Sequence, residues 1–289
     1  MNFFFRPLAK GLTSKIVMRL LFFSSLLFAN KTFAQKSEVG LMLGGSVYSG
    51  DLSPALVNFQ FIRPAAGIFY RYNYTTHWAA KAAIFAGTIT ANDAASSDPF
   101  QQNRNLSFTS RIFELTGNIE FNFLEYATGD SKRPFTPYIF TGLSVFDFNP
   151  KADFNGELVE LKPLGTEGQN LANPPVKPYS LVQLAIPLGL GIKWNLGQRF
   201  CLGFEIGSRK TFTRYLDDVG GNYPDKKHLL AESGPLAALL SDRSLNKSLE
   251  SGRQRNSSTA TDWYTFGGIT FSMAIGQTKK VTCDPFTGN

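Results

Sequence analysis

The chain has 289 residues, 43% of them hydrophobic and 14% aromatic, with a formal net charge of +7. Five basic residues, Arg6, Lys10, Lys15, Arg19 and Lys31, precede residue 35, and removing these five from +7 leaves +2. The remainder is nearly neutral, which excludes a basic nucleic-acid binder, and two cysteines with two histidines supply neither a disulfide framework nor a zinc set.

Residues 1–34 read as a signal peptide. They have a basic start with no acidic residue, a mostly apolar run from Leu20 to Phe28, and Thr32-Phe33-Ala34 before Gln35. The apolar core is too short for a transmembrane helix, and cleavage is expected after Ala34. Met18 begins a more compact version of the same signal.

Eight strands are expected after it. Glu38 to Tyr48 alternates Val39, Leu41, Leu43 and Val47 with Glu38, Gly40, Met42, Gly44 and Ser46. Pro64 to Tyr74 and Trp78 to Thr90 form a hairpin around Thr75-Thr76-His77, and the polar run from Ala91 to Ser107 reads as a long loop. Phe108 to Phe123 holds the cleanest alternation. Phe113, Leu115, Ile119, Phe121 and Phe123 point one way, and Glu114, Thr116, Asn118, Glu120 and Asn122 the other. A period of two over that length suits a strand crossing a bilayer with its apolar side outward.

Phe135 to Asn149 is the fifth strand and Leu181 to Asn195 the sixth, where Pro187 predicts a bulge or kink. Phe200 to Phe212 and Asp262 to Gly276 complete the set, with a helix-compatible piece at Pro235 to Leu240 and a polar tail over 277–289. Connections after odd strands are long and those after even strands short. This asymmetry predicts an all-β, eight-stranded antiparallel transmembrane β-barrel over residues 35–276, in the outer membrane, with short turns, both termini and the 277–289 tail in the periplasm. Tyr74, Trp78, Phe123, Tyr126, Trp194 and Phe200 are expected to form an aromatic girdle at the short-turn end.

Polar-face parity sends Glu38, Arg71, Lys81, Glu114, Glu120, Lys193, Glu205 and Arg209 into the lumen. Charges of both signs there must pair, which predicts a plugged barrel. Cys201 falls on the same parity as a small buried group, and Cys283 reads as a free tail thiol. Catalysis is not expected. His77 and His228 are the only histidines, and neither has a serine or cysteine at recognisable spacing. No cofactor is implied. A soluble lipocalin-like barrel would need the apolar parity to face inward, against the signal and Trp78 and Trp194 at the turn edges.

Several blocks carry a resemblance: Gly50-Asp51-Leu52-Ser53-Pro54, Arg63-Pro64-Ala65-Ala66-Gly67, Phe148-Asn149-Pro150, Pro163-Leu164-Gly165-Thr166-Glu167, and Arg209-Lys210-Thr211-Phe212-Thr213 through Asp217-Asp218-Val219. They resemble the PorG-like outer-membrane proteins of the Bacteroidota type IX secretion system, over nearly the whole chain after residue 34. The resemblance implies an OmpA-like barrel without catalytic residues. It also implies a place in protein secretion and gliding, held in lipid and associated on its periplasmic face with a ring of a PorK-like lipoprotein and a PorN-like protein. The alternative is a small porin or ligand-binding barrel. The resemblance places Asp51, Arg63, Glu167, Arg209, Asp217 and Asp218 at strand ends and on the long-loop side, where loop packing and lumen pairing account for them ahead of partner contact.

Overall fold

The computed structural model describes residues 37–54, 58–246, 252–256 and 260–275. The expected cleavage site, the tail and Cys283 lie outside them. Nine strands are present among the described residues: β1 Ser37–Ser49, β2 Arg63–Asn73, β3 Trp78–Asn92, β4 Ser107–Asn122, β5 Phe135–Phe154, β6 Glu157–Glu160, β7 Val182–Leu196, β8 Phe200–Thr211 and β9 Trp263–Ile275. All pairings are antiparallel. The order β4-β3-β2-β1-β9-β8-β7-β5 is closed into a ring by β4 pairing with β5. The result is a closed eight-stranded barrel, with β6 as an extra strand on the outer part of β5.

The alternation decides which side of the wall each residue takes. Leu43, Ile68, Phe113, Leu115, Ile119, Leu143, Leu190 and Ile269 stand on the exterior, while Met42, Phe69, Phe85, Phe140, Phe146 and Phe266 are buried inside. On β4 the apolar exterior row runs from Phe113 to Phe123. The ten residue-to-residue steps, at about 3.3 Å each and tilted by roughly 40°, give a band about 25 Å tall. Arg111 and Lys210, both exposed, stand beyond the band on the long-connection side. The inside is filled rather than hollow. Gly189 and Gly207 make room for Phe140, whose ring atoms would lie 2.3 and 2.6 Å from a Cβ at those positions.

Three details differ from expectation. Pro187 makes no bulge. Thr141 pairs with Leu188 and Ser144 with Ala185 in one register, so the ladder skips two pairs without inserting a residue, and Thr141 Oγ1 donates to the Pro187 carbonyl at 3.0 Å. Tyr126 is not in the girdle. It is 1% exposed and its hydroxyl donates to Asn195 Oδ1 at 2.7 Å, because the 123–134 turn folds back under the barrel mouth. The connection from Pro150 is not all loop. β5 continues to Phe154 and turns through Asn155 and Gly156, both at positive φ, into β6, as an Asn-Gly hairpin requires.

The long connections build a cap with three short helices, α1 Pro99–Arg104, α2 Lys226–Glu232 and α3 Pro235–Ser241. Asp98 caps α1 with Pro99 in its first turn, and Asp225 caps α2 by accepting from Lys227 and His228 amides. These are stable starts for short helices. Small apolar clusters, one with Ala152, Leu161 and Leu240 and one with Leu229, Ala237 and Ala238, hold the helices against the rest of the cap.

Candidate functional site: the filled lumen and the long-connection cap

The eight lumenal charges are all buried and all lie in ion pairs. Arg71 contacts Glu38 at 3.0 Å and Glu120 at 2.8 Å; Lys81 contacts Glu120 at 3.4 Å and Glu205 at 2.5 Å; Lys193 contacts Glu120 at 2.6 Å. Arg209 and Glu114 form a separate pair at 3.0 Å, nearer the cap. The larger group holds three cations and three carboxylates, so it is neutral as a unit. Strand register explains why Glu120 is its centre. Arg71 and Lys81 are direct cross-strand partners, an arrangement that repels unless an anion reaches both.

Neutral donors complete the carboxylates. Thr128 Oγ1, Asn73 Nδ2 and Ser272 Oγ donate to Glu38 at 2.5, 2.7 and 2.8 Å. Tyr138 donates to Glu205 at 2.6 Å and Tyr264 to Glu114 at 2.6 Å. Thr128 belongs to the turn that carries Tyr126, so that turn is part of the plug. Cys201 is buried on the lumen side, its thiol 3.5 Å from the Leu202 carbonyl.

In the cap, two buried clusters gather most of the loop residues singled out in the sequence. Asp51, Asp217 and Asp262 bring carboxylate oxygens within 4.8 Å of one another. Tyr48 donates to Asp217 at 2.7 Å and lies 3.1 Å from Asp262, and the Leu216 and Val219 amides donate to Asp262 and Asp217. Burial first, and the neighbouring carboxylates with it, push Asp217 well above the usual range; burial and Asp51 do the same to Asp262.

The second cluster forms around Arg255, which donates to Ser241 O at 3.1 Å, Glu167 Oε1 at 3.1 Å and Asp218 O at 2.6 Å. Glu167 Oε1 also accepts from the Gly220 and Gly221 amides, while Asp218 accepts from Thr166 and Tyr179 hydroxyls. Arg104 ties the two clusters together. It grips Asp93 with two 2.7 Å bonds and donates to the Asp51 and Arg255 carbonyls at 3.0 and 2.7 Å.

Arg63 is not brought into either cluster. It is exposed, its guanidinium 3.5 Å from the Ile62 carbonyl. Arg104 and Arg255 are not singled out by the sequence, where loop residues without periodicity give no parity to read, and Asp262 enters it only as the first residue of the eighth expected strand. The imidazole of His77 lies 2.9 Å from the Asn122 carbonyl and His228 is exposed on α2. Neither ring meets a serine or cysteine among the described residues.

Asp218 gives the cap a pH dependence. Burial raises its carboxyl from 3.8 to about 6 despite Arg255, Thr166 and Tyr179. An acid whose folded-state value is raised contributes stability below its unfolded value and loses it as pH rises through the folded one, so cap stability falls between about pH 4 and 6. The size is on the order of 3 kcal/mol. Amide exchange of residues 215–223, corrected for intrinsic rate, is expected to speed up across that window, and Asp218→Asn to flatten the dependence. An unchanged slope in the variant would assign it to Asp217 and Asp262.

A family model described as "Domain of unknown function (DUF6089)" matches residues 15–233. The chain belongs to the DUF6089 family. No curated protein matches the sequence. Among solved structures, Neisserial surface protein A is 8% identical over 84% of this chain and 100% of its own, with a TM-score of 0.43. Ail, the attachment invasion locus protein of Yersinia pestis, is 9% identical over 84% and 99%, TM-score 0.37. The outer membrane protein OprG of Pseudomonas aeruginosa is 7% identical over 84% and 98%, TM-score 0.38. The barrel assignment rests on the closed strand ladder of this DUF6089 member and takes nothing from likenesses that low.

Proposed function

We propose that the chain is an outer-membrane barrel that acts as a non-enzymatic anchor for a type IX secretion complex. The long connections would face outward, and the short turns and both termini the periplasm. The observation that carries the reading is an apolar exterior band around a lumen filled by paired charges and aromatic rings: the wall suits lipid, and the filling supports a fixed plug over the porin alternative. The resemblance described above supplies the partner class, a PorK-like lipoprotein and a PorN-like ring protein. The short-turn end offers exposed Tyr74, Leu124 and Leu196 beside the surface pair of Arg133 and Glu125 at 2.9 Å. Crosslinking in cells, mild-detergent extraction of the tagged chain and identification of what accompanies it test the proposal. Both ring proteins are expected. Recovery of the barrel alone would move the chain to another role in the membrane.

A further inference from the structure

A cleft of about 580 Å³ opens in the cap between the 171–176 segment and residues 220–225 with 252–256, within the size range of small-molecule sites. Its two carboxylates are each held through one oxygen, Oε1 of Glu167 and Oδ1 of Asp225. Glu167 is held by Arg255 and two glycine amides, and Asp225 by the amides that begin α2. Arg214, which also lines the cleft, has no ion-pair partner among the described residues and acts only at longer range on the Asp262 carboxylate. The side chains of Asn222, Gln254 and His228 line it as well and make no hydrogen bond within the described chain. Pro175 and Val176 add an apolar wall.

The backbone is not free to take a peptide by strand addition. The Gly220 and Gly221 amides go to Glu167, the Tyr223 amide donates to the Arg253 carbonyl, and the Gly221 carbonyl accepts from the Arg255 and Asn256 amides. Recognition therefore falls to side chains: the Arg214 guanidinium, the carboxamides of Asn173, Asn222 and Gln254, the His228 imidazole and an apolar wall. We propose that the cleft binds an acidic saccharide. Its anionic group would pair with Arg214, its hydroxyls would bond Asn222 and Gln254, and the C–H face of a ring would rest on Pro175 and Val176. The site lies on the long-connection side and does not depend on the anchor reading, which concerns the short-turn side.

The test uses the full chain in detergent, with saturation-transfer NMR and calorimetry on three probes: a glucuronate-containing disaccharide, maltose and an acidic tripeptide. The acidic disaccharide is expected to bind at least about tenfold tighter than the other two. Arg214→Ala is expected to weaken it about tenfold or more while leaving gel migration and cap amide exchange unchanged, since the Arg214 side chain makes no ion pair or hydrogen bond among the described residues. Absence of binding, or equal binding of maltose or the peptide, overturns the proposal. So does an Arg214→Ala variant that binds normally, or one that loses cap protection along with binding.

Discussion

Glu120→Leu is expected to destabilise the barrel by about 3–5 kcal/mol, read as a lower denaturant midpoint and a loss of the heat-modifiable gel shift. The size follows from the position of Glu120. It neutralises parts of Arg71, Lys81 and Lys193 at once, and its loss leaves three buried cations facing Glu38 and Glu205 alone. A buried charge without compensation is far more expensive than a missing surface pair. Glu125→Leu, which breaks only the exposed contact with Arg133, is the control and is expected to change stability by less than about 1 kcal/mol. Adding Lys193→Met to Glu120→Leu restores neutrality and is expected to recover part of the loss. Equal midpoints for Glu120→Leu and the control would show that the lumenal charges do not act as a balanced unit.

Arg255→Met is expected to open the cap while leaving the barrel intact. The guanidinium satisfies two carbonyls and Glu167, and its removal strands Glu167 and Asp218 in a buried setting at about 3–5 kcal/mol. Amides at 218–223 are expected to lose protection and the 226–246 segment to become open to protease, with unchanged heat-modifiable migration. Arg255→Lys retains charge but cannot reach the same acceptors in one plane, so it is expected to fall in between. A cap as protected as that of the unaltered chain would place the stabilisation in the apolar contacts of Leu229, Ala237 and Leu240 instead.

The wall was legible because a period of two marks both the element and the side. Seven of the eight wall strands begin and end within two residues of their expected bounds, and each of the eight charges placed in the lumen by parity is buried there. The partners were not legible. Glu120 on β4 meets Lys193 on β7, which lies beyond its neighbour β5, and that contact depends on tilt and register, not on sequence spacing. In loops parity has no meaning, so Tyr126 was placed outside and Arg104 and Arg255 were passed over. Two local signals were present and unused: Asn155-Gly156 for the β5–β6 hairpin, and Asp98-Pro99 for α1.

The seam of the barrel joins the two ends of the described chain. β1 pairs with β9 from Ser37 opposite Ile275 to Ser49 opposite Trp263, so the first strand to be made waits for the last before it finds one of its two neighbours. No partial chain can complete the ring, and until β9 arrives the edge of β1 is a template for wrong partners. Pairing across so long a separation is also slow. Biogenesis is therefore a matter of timing: the interval between synthesis and closure is when the protein is most exposed to misassembly. A chain cut short before β9 would fail at that step whatever the state of its long connections.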